Sequence, residues 1–342
     1  MNQVAEQYRN RDQQGVEAKD KFKHLMYMPF TGLGLYNGFR GSRWLKNRIY
    51  ICKQFVIPSL QAQTEKNFTL WISWRPEERY NHIVKDFRTW LDGTGLDVVH
   101  TFSGVCFYDD KYPPEEAKSR LVSAIHGAMI ELVDATEGET GCEWVLMTIQ
   151  PSDDCYHRNA VKGIQAVFKE VPTLQAFGFE QGYLMNYQTK ELAEWNPKTT
   201  PPFYTIKFPR PTFINPLEHV EYTALKNDSG PYKKGTPLPS HEYVKDCLRA
   251  GYVKDRGFLV GTHGENISTI WNHPYRGAWV NKEFLKDFGL ENVQPLKLPF
   301  SLRRKLFSKL PHKVLRKLRY WAGEKKWILR PVFSLLYNGL RG

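Results

Sequence analysis

The sequence predicts an α/β protein built on a Rossmann-like, mixed and mostly parallel sheet that helices flank on both faces. Two observations predict this class. Apolar runs of strand length alternate along the chain with longer segments of helical periodicity. The strand-like runs are also almost continuously apolar, which is typical of strands buried on both faces of a sheet. In such sheets ligands bind beyond the carboxyl ends of the strands.

The first half of the chain supplies four predicted strands and the helices between them. The strands are predicted at residues 22–30, 68–74, 96–102 and 144–149. Helical patterns occupy residues 44–60, 77–91, 114–133 and 159–168. A Gly-rich segment, residues 31–41, follows the first strand and allows a close approach of backbone to a ligand.

The second half of the chain is less regular. Prolines interrupt residues 199–235, which predicts extended, loop-rich chain that folds over the sheet and shapes an acceptor pocket. Residues 240–252 begin with a capping Ser and continue as an amphipathic helix that ends at Gly251. A further strand is predicted at residues 258–260.

Charge is distributed unevenly between the body and the C-terminal end of the chain. The net charge of the 342 residues is +12, from 48 Lys and Arg against 36 Asp and Glu. Residues 300–342 hold twelve basic residues and one acid, Glu324, so this segment alone carries +11. The rest is nearly neutral, which excludes a uniformly basic protein and predicts a globular body with a basic tail.

Cysteines and hydropathy indicate a cytoplasmic chain. The five cysteines are odd in number and lie far apart, and no two form a C-x-x-C pair, which predicts buried apolar residues and not metal ligands or nucleophiles. No apolar run reaches the length of a membrane span, and residues 1–21 form a polar tail without the apolar region of a signal peptide.

Two adjacent carboxylates, Asp153 and Asp154, follow the fourth strand. Neighbouring carboxylates at the end of a buried strand repel each other, so a cation that shares the site explains them. A divalent metal that bridges a substrate diphosphate is one such explanation. The alternative is an N-cap pair for the helix predicted at residues 159–168.

Several motifs together resemble a known enzyme family. S-L-x-x-Q-T-x-x-N-F at residues 59–68, before an apolar strand, is similar to nucleotide-sugar glycosyltransferases of the GT-A type. More closely, T-G-L-G-L-Y-N-G-F-R, F-T-L-W-I-S-W-R and P-S-D-D-C-Y-H resemble the rhamnosyltransferase family of bacterial cell-surface polysaccharide synthesis. The resemblance covers residues 21–277. It implies a GT-A-like fold and a nucleotide-diphosphate sugar donor.

The resemblance also implies roles for the carboxylates. The family motif is D-x-D-D, and here Pro151 stands in place of its first Asp. By resemblance Asp154 binds Mg²⁺ or Mn²⁺ together with His263, while Ser152 and Asp153 bind the donor. Arg40, Arg43 and Arg75, which follow the first two strands, are candidates for pairing with the donor phosphates, although each is also an ordinary surface arginine by type.

The candidate base lies in the second half of the chain. By resemblance Glu242 occupies the position of the catalytic base, with His241 beside it, and a carboxylate there takes the proton of an attacking hydroxyl. The alternative is that Glu242 only complements the dipole of the helix it begins. His263 lies in a Gly-flanked polar cluster with Glu265 and Asn266, which we expect to support the loop; a solvated histidine is the alternative.

The basic tail combines charge with apolar periodicity. Leu302, Leu306, Leu310, Val314 and Leu318 recur every four positions among lysines and arginines, and Pro311 divides the pattern into two helices. This pattern is typical of helices that lie on an anionic membrane surface. Docking on the protein's own body and binding of nucleic acid are the alternatives.

The sequence therefore predicts a glycosyltransferase that lies on the inner face of the cell membrane. Its divisions are a polar tail (1–21), a GT-A-like domain (22–295) and a basic amphipathic helical extension (296–342). The expected partners are the sugar donor, a glycan or lipid-linked acceptor and anionic lipid, without nucleic acid. Two alternatives remain: a metal-dependent phosphoesterase or nuclease, and a non-catalytic scaffold with the same fold.

Overall fold

The computed structural model of the chain describes residues 22–31, 42–102, 132, 142–197, 201, 203–214, 244–263 and 281–297. The chain divides into two units, Met1–Leu296 and Lys297–Gly342. All described residues except Lys297 belong to the first unit. The polar N-terminal tail, the basic tail after Lys297 and most of the helix predicted at 114–133 lie outside the described residues.

One sheet holds the nine strands of the described part of the chain. They are β1 (Phe22–Pro29), β2 (Thr69–Ser73), β3 (Val98–Thr101), β4 (Trp144–Ile149), β5 (Cys155–Tyr156), β6 (Ala176–Asn186), β7 (Leu192–Trp195), β8 (Tyr204–Pro209) and β9 (Ala250–Thr262). The spatial order is β3-β2-β1-β4-β8-β6-β9-β5, with β7 beside β6.

The sheet is mixed, and its parallel part comes first in sequence. Strands β3, β2, β1 and β4 all pair in parallel, so their carboxyl ends lie at one edge. Strand β8 is antiparallel to both β4 and β6, while β9 is parallel to β6 and antiparallel to β5. The α/β class predicted from the sequence is confirmed.

Helices connect the parallel strands. The described ones are α1 (Ser42–Ile51), α2 (Ile57–Gln61), α3 (His82–Asp92), α4 (Ala160–Glu170), α5 (Arg210–Ile214) and α6 (Val244–Cys247). A π-helical turn, Cys52–Val56, joins α1 to α2, and 3₁₀ turns occupy Pro76–Tyr80 and Lys282–Phe288. Among the described residues no helix is long and apolar enough to cross a membrane.

Burial explains why the strands are apolar on both faces. Alternate residues of β1 point to opposite sides: Met26 and Met28 pack into a cluster that includes α1, α3 and α4. Leu25 and Tyr27 pack on the other side, against β8 and Phe213 of α5. Cys52 and Cys155 are buried free thiols, as the sequence predicts, whereas the free thiol of Cys142 is only half-buried.

Two sequence predictions are wrong in the second half. The proline-rich segment contains β8, which lies inside the sheet between β4 and β6 and not over it. Pro201 and Pro202 precede this strand and Pro209 is its last residue, so no proline lies in its interior. The helix predicted to end at Gly251 ends at Cys247, because Ala250 and Gly251 pair with Ala176 and Phe177 of β6. Long-range sheet pairing overrides the local helical pattern here.

Candidate functional site

The turn after β4 carries the two candidate carboxylates and is held tightly in place. The backbone N–H of Gln150 donates to the carbonyl of Tyr27 on β1 at 2.8 Å. Its side-chain Nε2 donates to the carbonyls of Pro151 at 2.8 Å and Asp154 at 2.9 Å. The site therefore lies at the carboxyl edge of the parallel strands, where α/β sheets bind ligands.

Asp153 is the charged centre of this turn. Its Oδ2 is in direct contact with the Arg48 guanidinium of α1 and lies 3.1 Å from Nε2 of His263, directly after β9. Burial alone would raise the pKa of Asp153, but the Arg48 charge and the His263 contact outweigh it and hold that pKa well below the usual range. Asp153 is therefore an ionised carboxylate whose side chain is 16% exposed.

Asp154 behaves in the opposite way. It is buried, and its Oδ1 accepts a hydrogen bond of 2.9 Å from the backbone N–H of Gly261 in β9. Burial, and then the negative charge of Asp153, raise the pKa of Asp154 well above its usual value. The two neighbouring carboxyls thus differ in protonation tendency, and Asp154 joins the turn to β9.

A buried tyrosine, Tyr187, packs against the residues around Asp153. The Tyr187 ring stacks on Phe55 of the π-helical turn, at 3.7 Å between centroids and 3° between planes, and lies 6.1 Å from the His263 ring at 19°. Its hydroxyl donates to the carbonyl of Asp153 at 2.8 Å. A Cβ on Gly261 would lie 2.2 Å from this ring, so only glycine fits there. Tyr187 therefore fixes both His263 and the turn.

Helix α1 presents polar groups toward the protein interior. Trp44, Asn47 and Arg48 are buried and occupy positions i, i+3 and i+4, which share one helix face. The Arg48 guanidinium lies 5.5 Å from the Trp44 ring. In the described part of the chain, Trp44 Nε1 and Asn47 Nδ2 have no hydrogen-bond partner, and neither has Gln150 Oε1. Native proteins rarely leave such groups unpaired.

The structure brings some of the predicted residues together. Asp153 and His263 are in contact, which the sequence predicts only as membership of one site. The N-cap alternative is wrong, because β5 separates the carboxylates from α4 and Asn159 is the residue at its N-cap. Ser152 lies in the same turn. His241, Glu242, Glu265, Asn266 and Arg40 lie outside the described residues.

The other two predicted arginines that the structure describes, Arg43 and Arg75, are not the arginine that pairs with Asp153. Arg43 is exposed on α1, at a position away from its buried face. Arg75 follows β2 and is 3.8 Å from the Glu77 carboxylate. The arginine that contacts Asp153 is instead Arg48, which the sequence predictions missed. Its signal is a cation among the buried residues Leu45 and Ile49 of an amphipathic helix.

A second buried acid was also missed at this edge. Glu78, in the 3₁₀ turn after β2, is 2% exposed and accepts a hydrogen bond from the Thr31 hydroxyl at the end of β1. Burial raises its pKa, against the opposing effect of that hydrogen bond. Its Oε1 has no partner among the described residues.

The described donor atoms do not fit the predicted Mg²⁺ or Mn²⁺ site. Nε2 of His263 contacts Asp153 Oδ2, and the same carboxylate oxygen contacts the Arg48 guanidinium, while Asp154 Oδ1 accepts from the backbone N–H of Gly261. A divalent cation on Asp153 would lie close to this positive charge and be repelled by it. Within the described ranges, no group of three His, Cys, Asp or Glu side chains is arranged to hold a metal ion.

Comparisons with known proteins give remote structural similarity. No protein-family model matches the chain, and no curated protein matches it. Among solved structures, residues 1–349 of S. aureus TarS in complex with UDP match with a TM-score of 0.36 and 13% identity over 71% of this chain. Mouse xyloside xylosyltransferase 1 in its apo form matches with a TM-score of 0.29 and 13% identity over 58% of this chain.

These matches are also partial with respect to the other chains. The chain spans 60% of the TarS 1–349 chain and 71% of the xylosyltransferase chain.

Proposed function

We propose that the chain is a glycosyltransferase that moves a sugar from a nucleotide-diphosphate donor to a hydroxyl of a glycan or glycolipid. The observation that carries this proposal is the ionised Asp153, paired with Arg48 and His263 at the carboxyl edge of the parallel strands. A buried ion pair at a strand-end ligand position is costly to maintain for stability alone. The motif resemblance supplies the reaction type, and rhamnose is the sugar it implies.

The donor would bind with its phosphates toward α1 and the turn at residues 150–154. Arg48 supplies positive charge there, and Arg40, Arg43 and Arg75 remain proposed phosphate partners from the adjoining segments. Ser152 and Asp153 provide a hydroxyl and a carboxylate to the sugar or ribose hydroxyls. The high pKa of Asp154 suits a hydrogen-bonding role more than charge neutralisation.

The transfer itself would be a single inverting displacement. The acceptor oxygen attacks the anomeric carbon, the bond from that carbon to the diphosphate breaks, and the acceptor proton passes to Glu242. His241 lies beside this base in sequence, and Glu265 and Asn266 would support the loop after His263. The diphosphate leaves with the electron pair of the broken bond, so positive charge near the phosphates lowers the barrier.

Calorimetry tests this proposal against its main rival. Titration of the full chain with UDP and with dTDP, each with Mn²⁺ and with EDTA, should give saturable binding of at least one nucleotide. The rival activity, metal-dependent phosphodiester hydrolysis, is measured on the same preparation. Cleavage of phosphodiesters without binding of either nucleotide would contradict the transferase proposal.

We further propose that the basic tail, residues 300–342, holds the enzyme on anionic lipid. Its +11 charge and its apolar face suit a membrane surface, where each Lys or Arg contributes about 1 kcal/mol. Sedimentation with vesicles that contain anionic lipid should carry down the full chain but not a chain ending at Pro299. Equal sedimentation of both would contradict this part of the proposal.

A further inference from the structure

The inner face of α1 carries hydrogen-bond donors that find no acceptor among the described residues. Asn47 is 5% exposed and Trp44 is 7% exposed, and the Nδ2 and Nε1 groups of these residues have no acceptor among the described residues. Leaving a buried donor unpaired costs about 1–3 kcal/mol. Two such groups on one turn of a helix indicate acceptors that the described residues do not supply.

Arg48 adds a cation to the same face. Its side chain is 3% exposed, and its Nη1 contacts the Asp153 carboxylate. A guanidinium carries five N–H donors in a planar fork, which matches the oxygens of phosphate. Pairing with Asp153 fixes its position and leaves N–H groups for a second, anionic partner.

The local charge balance disfavours a metal at this place. Asp153 is paired with the Arg48 guanidinium and contacts His263, and Asp154 Oδ1 accepts a hydrogen bond from the backbone N–H of Gly261. A hard divalent cation needs several anionic or carbonyl oxygens that are free to coordinate it. Here the cation at the carboxylate turn is already the guanidinium of α1.

We infer that Trp44, Asn47 and Arg48 bind the donor diphosphate directly, and that Arg48 takes the place of a divalent metal in this enzyme. This inference rests on the proposed function and deepens it. The buried face of α1 is then a diphosphate subsite, in which a fixed guanidinium neutralises the phosphate charge that a metal would otherwise neutralise.

The test is calorimetric titration of the full chain with UDP and dTDP in EDTA and in Mn²⁺. Wild type should bind a nucleotide in EDTA with an affinity within about twofold of that in Mn²⁺, because Arg48 already supplies the charge. Binding that requires Mn²⁺ would overturn this inference and leave the proposed function standing. Absence of nucleotide binding in both conditions would overturn the proposed function, and this inference with it.

Two variants separate ligand binding from stability. Asn47→Leu removes an unpaired buried amide, so a purely structural role predicts equal or higher thermal stability with unchanged affinity. Our inference predicts about tenfold weaker nucleotide binding, as expected for a lost hydrogen bond to a charged group. Arg48→Lys keeps the charge but loses the fork, and should weaken binding by about tenfold or more.

A matched control lies on the same helix. Lys46 is exposed on α1, so Lys46→Gln removes one positive charge next to Asn47 without touching the buried face. Its nucleotide affinity should stay within about twofold of wild type, since exposed charges are screened by salt. Wild-type affinity in both folded variants, Asn47→Leu and Arg48→Lys, would overturn the inference. If Arg48→Lys does not fold, Asn47→Leu alone decides it.

Discussion

Two buried polar clusters in the described part of the chain differ in how completely their hydrogen-bonding groups are paired. In the first, His24 of β1 contacts the Thr148 hydroxyl of β4 through Nε2 at 2.7 Å and lies 3.3 Å from Gln165 Nε2 through Nδ1. Thr148 in turn contacts the Thr205 hydroxyl at 2.6 Å, and Gln165 donates to the carbonyl of Asn67. All of these side chains are neutral or favour neutrality.

The second cluster, around Asp153, keeps both charge and unpaired groups. It contains an ion pair with Arg48, a histidine contact and unpartnered groups of Trp44 and Asn47. A buried network whose groups are all paired rigidifies a core, whereas buried groups that stay charged or unpaired are typical of functional sites. The contrast distinguishes a structural cluster from a candidate site without reference to any other protein.

The largest expected effect comes from removing the carboxylate of the second cluster. Asp153→Ala leaves the Arg48 guanidinium buried without its partner, which should lower the free energy of unfolding by about 3–5 kcal/mol. Urea denaturation measures this change. The exposed residue Asp92 provides the control, since Asp92→Ala should change stability by less than about 0.5 kcal/mol.

A double variant at Asp153 and Arg48 measures how much of this loss comes from the unpaired charge. Asp153→Ala combined with Arg48→Met removes both charges and should be more stable than Asp153→Ala alone. Additive losses in the two single variants and the double variant would mean that the contact contributes nothing to folding.

The next largest expected loss of stability comes from crowding the ring of Tyr187. Gly261→Ala places a Cβ 2.2 Å from the Tyr187 ring, which is already stacked on Phe55. This overpacking should cost about 1–3 kcal/mol in unfolding free energy. Gly93→Ala is the matched control, because its Cβ would meet no atom nearer than the Trp90 carbonyl at 3.5 Å. Equal melting temperatures for the two variants would contradict the packing described for Tyr187.

The third prediction concerns the pH dependence of stability, to which His24 of the first cluster contributes. Burial lowers the pKa of His24 to about 3 from 6.5, so between these values the unfolded chain binds a proton that the folded protein does not. The free energy of unfolding therefore falls as the pH falls through this window. The stabilising contribution of neutral His24 is fully present above pH 6.5. Relative to His24→Gln, wild type should lose about 1.4 kcal/mol per pH unit there.

Urea unfolding from about pH 4 to about pH 7 measures the difference between wild type and the variant. His82→Gln, at an exposed position, should run parallel to wild type across the range. Parallel curves for wild type and His24→Gln would show that His24 is not kept neutral by burial.

The smallest effect is the loss of one neutral hydrogen bond. Thr205→Val removes the hydroxyl that lies 2.6 Å from Thr148 and should cost about 1 kcal/mol, with nucleotide binding unchanged. Thr205→Ser keeps the hydroxyl and should retain the hydrogen bond. A loss of nucleotide affinity in Thr205→Val would contradict the claim that the first cluster has only a structural role.

The sequence predicts the parallel half of the fold well, because its signals are local. Residues 22–30 and 144–149 were predicted as strands, and β1 and β4 occupy Phe22–Pro29 and Trp144–Ile149. Strand β8 escaped prediction because prolines surround it and its partners, β4 and β6, are distant in sequence. The same long-range pairing with β6 shortened the predicted helix that ends at Cys247.

The site was predicted in part for a similar reason. Two adjacent Asp residues after an apolar strand are visible in sequence, and so is a histidine after another strand. That His263 contacts Asp153, and that the cation of the site is Arg48 from α1, depends on how β9 and α1 fold against the turn. The support from Tyr187 has no local signal, since its neighbours Phe55 and His263 are far away in sequence.

The most direct test of the central claim is release of nucleoside diphosphate from a panel of nucleotide-diphosphate sugars. With wild type, one donor should give a rate clearly above spontaneous hydrolysis, and Glu242→Gln should lower that rate by about 10²-fold or more because the proposed base is lost. If no donor is consumed, the proposed glycosyl transfer is contradicted. If wild type and Glu242→Gln release nucleoside diphosphate at equal rates, the assignment of Glu242 as the base is contradicted.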